Sequence, residues 1–185
     1  MSTSPANYQT VLVRAAQKPS GQELTVTSES FDEGGMIGLE FVHTSAGGKN
    51  RSPQLSWSGA PKETKGFAIT CFDPDAPTGS GYWHWLTWGI PASVTRLDAG
   101  AGTSAPPAGG RGGYSDFGIA TYGGPSPPKG DGAHRYVFTV YALDVEKLRL
   151  QGAFRGPEVR AAIERHVLAQ ASITGKYSLN PAVKF

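Results

Sequence analysis

The sequence predicts a mainly β domain in which short strands and loops outweigh helices. Three observations lead there. The 185 residues include 25 Gly and 14 Pro, which mark frequent turns. Segments rich in β-branched and aromatic residues recur along the chain, bounded by Gly, Pro, Asn or Asp. Only one segment carries a sustained helical stripe. The length suits one domain and is sufficient to bury a core.

Residues 1–20 are polar and lack periodicity, so a flexible N-terminal extension is expected there, followed by a single domain over 21–185. Strands are expected at Leu24 to Thr27, Gln54 to Trp57, Gly66 to Phe72, Trp83 to Ile90 and Arg135 to Leu143. The last is apolar on both faces, at Val137, Phe138 and Val140, as a central strand covered on both sides would be. Asp98 to Gly113, rich in Ala, Gly, Pro and Ser, reads as a surface loop. Pro157 then opens a helix whose stripe runs through Val159, Ala162, Ile163, His166 and Val167, and Val145 to Leu150 is expected to form a shorter one.

Composition narrows the function. A formal charge of +2 does not build the basic face that nucleic acid requires. The basic residues between Lys147 and Arg165 are interleaved with Glu146, Glu158 and Glu164, a solvated surface. The single cysteine, Cys71, excludes an intramolecular disulfide and lies in an apolar run, as a core residue would. There is no signal-like segment and no apolar run long enough to span a bilayer, so a cytoplasmic protein without stable membrane insertion is expected. Asn50-Arg51-Ser52 matches a glycosylation sequon, an accidental match without an export signal.

The chemistry concentrates in two segments. Residues 73–85, Asp-Pro-Asp-Ala-Pro-Thr-Gly-Ser-Gly-Tyr-Trp-His-Trp, bring together Asp73, Asp75 and His84. Aspartates two apart project to one side of an extended chain, where a returning strand can bring a histidine. Residues 123–136 add His134 and Tyr136 after a Gly/Pro loop. If each carboxylate accepts a proton from one histidine ring, the second ring nitrogen of each faces the pocket and the imidazolium form is favoured. Such a pocket suits an anion, with loop amides around Gly124 and Ser126 as further donors. Asp-Pro-Asp-Ala-Pro is also the composition of a strand-ending turn in which aspartates bond local amides. His43 and His166 are assigned to surface or packing roles.

Asp-Pro-Asp-Ala-Pro at 73–77, Trp-His-Trp at 83–85, Tyr-Gly-Gly-Pro-Ser-Pro-Pro-Lys-Gly at 122–130 and His-Arg-Tyr at 134–136 resemble the phosphatidylethanolamine-binding protein family, also called Raf kinase inhibitor proteins. Asn50 to Trp57 and Tyr136 to Leu143 share the likeness, and the ending near Gly175-Lys176-Tyr177 is similar to the bacterial and archaeal branch. The resemblance implies a large central antiparallel sheet with a smaller sheet on one side and C-terminal helix or helices on the other. It also implies a shallow anion pocket lined by Asp73, Asp75, His84, His134 and Tyr136, with backbone donors from Gly124 to Ser126. Ser126 stands where animal members have a phosphate-contacting glycine.

The function expected is binding of a phosphate-bearing small molecule or headgroup, without catalysis, cofactor or metal, and with regulation of a kinase or other enzyme as an added role. A protein partner and a homodimer are compatible with this expectation. Two alternatives stand beside it. One is a metal-dependent hydrolase using the two His and two Asp; the other is a protein-interaction module with Tyr82, Trp83 and Tyr114 at the pocket rim. No Ser/His/Asp triad is argued, since Ser126 lacks a nucleophile-elbow context.

Overall fold

A computed structural model of the chain describes residues 23–150 and 154–185, so the expected extension over 1–20 lies outside the described residues. Among the described residues, eight strands form two antiparallel sheets. Strands β1 (Thr25–Thr27), β2 (Leu55–Ser58) and β5 (Arg96–Leu97) form the smaller sheet in the order β1-β2-β5. Strands β3 (Gly66–Asp73), β4 (Tyr82–Pro91), β6 (Arg111–Gly112), β7 (His134–Leu143) and β8 (Val167–Tyr177) form the larger one, ordered β6-β4-β3-β7-β8. Helix α1 spans Gly156–Glu164.

Alternation along the central strands sorts side chains into two cores. From β3 and β7, Phe67, Ile69, Cys71, Phe138 and Val140 join Leu55, Trp57 and Leu97 of the small sheet. On the opposite face, Ala68, Leu86, Trp88, Tyr141 and Leu143 meet Val159, Ala162 and Ile163 of α1. The larger sheet is therefore covered on both sides, and β7 is the doubly buried strand its composition predicts. Cys71 is buried in the first core.

Three expectations need correction. His166 and Val167 do not extend the helix: His166 follows its end, bonding Asp144 through Nδ1 at 2.8 Å, and Val167 opens β8. No helix forms over Val145 to Leu150, where Leu148 instead buries against the α1 core. The segment from Asp98 to Gly113 is mostly irregular but not merely superficial. Gly102 packs so closely that a Cβ there would sit 2.2 Å from the Trp85 ring, and its amide and carbonyl bond Ser52 and Tyr122.

Candidate functional site

The site lies where β3 ends, β4 begins and β7 starts. Asp73 is the last residue of β3 and pairs in register with Tyr82, the first of β4. The register then shifts: Phe72 faces Trp83 while Cys71 faces Trp85, which leaves His84 as the extra residue of a bulge. The bulge turns the His84 ring toward Gly123, whose carbonyl accepts from Nδ1 at 2.8 Å while its amide donates to the His84 carbonyl at 3.0 Å. On β7, His134 and Tyr136 point inward and Arg135 outward, as strand alternation requires.

A cleft of about 230 Å³ is lined by Asp73, Tyr82, His84, Ser126, His134 and Tyr136, with Phe117 and the prolines of both loops completing its walls. Asp73, His84, His134 and Tyr136 are all buried. The Tyr136 hydroxyl is buried with no hydrogen-bond partner among the described residues. The Tyr136 ring meets that of His84 edge-on, centroids 5.1 Å apart. Phe117, which carries no signal in the sequence, stacks on His43 at 4.5 Å and packs edge-on to His84 at 5.3 Å.

Five of the seven expected site residues thus border one cleft, and two do not. Asp75 lies past the end of β3, where strand alternation no longer applies. Its carboxylate takes the guanidinium of Arg135 at 2.8 and 2.9 Å and the Arg135 amide at 2.9 Å. The Gly124 amide is taken by Asn50 Oδ1 at 2.7 Å, so it is not a free donor. Gly124 is nonetheless required, because a Cβ there would lie 2.2 Å from the Phe41 carbonyl oxygen.

The electrostatics also differ from the expected pair of carboxylate-bound imidazoliums. Both nitrogens of His134 face carboxylates, Nδ1 on Asp73 at 2.8 Å and Nε2 on Asp131 at 2.9 Å, so neither is left for the cleft. Burial alone would lower the His134 pKa, but these two partners raise it above the ordinary histidine value. Burial pushes the Asp73 pKa up, opposed by its bond to His134. Among the described residues His84 has no carboxylate partner; burial pushes its pKa down to about 4, against the pull of the Gly123 carbonyl and the Gly124 backbone. With Nδ1–H donated to that carbonyl, the neutral ring of His84 keeps a lone pair on Nε2. The Tyr136 hydroxyl is held protonated, chiefly by burial and next by the charge of Asp73.

Outside the expected set, Asn50 ties the loop down by donating to the Tyr122 carbonyl at 3.1 Å as well as accepting from Gly124. It sits at φ 53°, a left-handed conformation that Asn tolerates. Its sequon match thus coincides with an amide already used inside the fold. Of the aromatic residues expected at the rim, Tyr82 lines the cleft, Tyr114 is exposed elsewhere, and Trp83 lines a separate groove of about 460 Å³ with Phe72, Pro157 and Arg160. Among the described residues, no group of three or more His, Cys, Asp and Glu is arranged to hold a metal ion.

The model of the phosphatidylethanolamine-binding protein family matches residues 27–178. The chain belongs to this family. The UPF0098 protein YbcL of Escherichia coli is 41% identical over 175 residues, 92% of this chain and 96% of YbcL. Its relative YbhB, from the same organism, is 46% identical over 133 residues, covering 71% and 84% of the two chains. The crystal structure of YbcL, described as a new member of the mammalian family, superposes with a TM-score of 0.79 at 43% identity over 84% of this chain and 98% of its own. The two-sheet architecture with a C-terminal helix thus matches that of a family member, and the motifs noted in the sequence all fall within residues 27–178.

Proposed function

We propose that this phosphatidylethanolamine-binding protein relative binds a small phosphate-type anion in the cleft between His84 and Tyr136 and cleaves no bond. The observation that carries the reading is the buried, unpartnered Tyr136 hydroxyl. A buried polar group without a partner costs about 1–3 kcal/mol, and a ligand oxygen that accepts from it recovers that loss. His134, charged between its two aspartates, contributes a fixed imidazolium in the wall. The family's description names a phospholipid whose headgroup contains phosphate, which agrees in chemistry. A cleft of about 230 Å³ lies below the roughly 300–1,000 Å³ of drug-sized sites, so it suits a headgroup or small molecule and not a lipid's chains.

Calorimetric or NMR titration with inorganic phosphate at pH 6 tests this reading. Saturable binding that Tyr136→Phe and His84→Ala weaken supports it; no binding rejects it. Regulation of a kinase or other enzyme through the cleft rim belongs to the same proposal, and a pull-down with wild type and the Tyr136→Phe protein tests it. A cytoplasmic location is proposed as well. Among the described residues no helix is long and apolar enough to cross a membrane, while a Mycobacterium tuberculosis relative, 36% identical over 163 residues, carries lipoprotein in its name. Cell fractionation decides between the two locations.

A further inference from the structure

We propose that the cleft selects its anion in protonated form, a phosphomonoester bearing a P–OH group, over sulfate and over phosphodiesters. This rests on the anion-binding reading above and concerns which anion the same cleft accepts.

The argument starts from a chain of hydrogen bonds whose direction is fixed. The Ser45 amide donates to His43 Nδ1 at 3.1 Å, so that nitrogen carries a lone pair. The Ser45 hydroxyl lies 2.7 Å from the same nitrogen and must donate to it. Ser45 Oγ then has no proton left for Ser126 Oγ, 2.8 Å away, so Ser126 donates to Ser45. The Ser126 hydroxyl therefore turns only oxygen lone pairs toward the cleft it lines. Burial holds the His43 pKa below its ordinary value, which preserves this direction at neutral pH.

Two more lining groups, His84 and Asp73, have the same polarity. His84 gives its Nδ1 proton to Gly123 and offers a bare Nε2. Asp73 is a carboxylate whose oxygens already accept from His134 and from the Asp75 amide. Among the described residues, no Lys or Arg lines the cleft. The charged and titratable groups around it are His43, Asp73 from β3, Tyr82 and His84 from β4, Asp131 ahead of β7, and His134 and Tyr136 on β7; the His134 charge is matched by its two aspartates. Among the described residues, the Tyr136 hydroxyl is the buried side-chain donor of the cleft left without a partner, while the Tyr82 hydroxyl sits at a partly exposed position.

A fully deprotonated oxyanion would meet Ser126, His84 and Asp73 lone pair to lone pair. A P–OH supplies the missing donor, while another phosphate oxygen accepts from Tyr136. A site built around a ligand's own proton rejects isosteres that lack it, because its buried acceptors are then left unpaired. A phospholipid phosphate is a diester and carries no P–OH, so this chemistry separates a free monoester from a lipid headgroup.

The test is titration of the full chain with methyl phosphate, dimethyl phosphate, sulfate and methylphosphonate across the neutral pH range. At pH 6, near the second pKa of about 6 for a phosphomonoester, methyl phosphate should bind roughly tenfold or more tightly than sulfate and dimethyl phosphate. Its affinity should fall as pH rises through its own second pKa, and the midpoint should move upward for methylphosphonate, whose second pKa is higher. Ser126→Ala, which removes one acceptor at a partly exposed position, should narrow the gap between methyl phosphate and sulfate. Sulfate or dimethyl phosphate binding as well as methyl phosphate overturns the proposal, as does a midpoint common to both phosphorus ligands, which would place the proton on a histidine. Silence from all four probes overturns the anion-binding reading itself.

Discussion

His134 Nδ1 lies 2.8 Å from Asp73 Oδ2, and both side chains are almost wholly buried, 5% and 3% exposed. This ion pair joins the end of β3 to the start of β7 and forms one wall of the cleft. Removing one member of a buried pair leaves the other's charge uncompensated, which costs about 3–5 kcal/mol. His134→Ala is expected to lose that amount in urea denaturation. A loss of the size seen at exposed pairs would mean that Asp73 finds another partner.

The pair also sets a pH dependence. The folded-state pKa of His134 is raised, so its stabilisation is complete below the unfolded value of about 6.5 and is lost as pH rises through the higher folded value. Asp73, also raised, acts in the same direction but at lower pH. The stability difference between wild type and His134→Gln should therefore be flat just below pH 6.5 and shrink above it. A difference that grows with pH would reverse the assignment.

Asn50 holds the cleft loop from outside the cleft. Asn50→Asp keeps the acceptor for the Gly124 amide but replaces the donor to the Tyr122 carbonyl with a second acceptor. A destabilisation of about 1–3 kcal/mol is expected, with weaker phosphate binding because the loop carrying Ser126 is no longer pinned. Amide hydrogen exchange at Gly123 and Gly124 should quicken in the variant; unchanged exchange would show that the loop is held elsewhere.

Asp75 and Asp73 separate in behaviour although the sequence places them side by side. Asp75 pairs with Arg135 at a partly exposed position, 31% and 44% exposed. Exposed pairs contribute about 0.2–1 kcal/mol. Asp75→Asn should change stability by no more than that and leave phosphate affinity within twofold of wild type. A tenfold loss of affinity would return Asp75 to the binding site.

How far the sequence could be read depends on the physical origin of each feature. Strand β7 was legible because burial on both faces demands a continuous apolar run, and the Gly/Pro loops announced the turns around the cleft. Strand β8 was not. Its Ala169, Gln170, Ala171 and Ser172 have little intrinsic strand preference and are held by pairing with β7, while Val167 fits the helical stripe equally well. Asp75 was misplaced because period-two reasoning was carried beyond Asp73, where β3 stops. Asp131 and Asn50 were invisible as partners because they reach the site only through loop closure. The direction of the His43, Ser45 and Ser126 chain depends on one backbone amide, which no local pattern announces.

Tyr136 offers the sharpest separation of stability from function. Its ring packs edge-on to His84 in the core, but its hydroxyl is buried without a partner among the described residues. Tyr136→Phe keeps the ring and removes the unsatisfied group, so the ligand-free protein should be unchanged or up to about 1–2 kcal/mol more stable. In the same variant the ligand loses the buried donor, and phosphate affinity should fall roughly tenfold, the equivalent of about 1.4 kcal/mol. A thermal melt with and without phosphate reads both effects: a midpoint equal to or above wild type without ligand, and a smaller upward shift with it. A variant that melts lower without ligand would show that the hydroxyl is satisfied within the fold, and the strongest support for this cleft as a binding site would be gone.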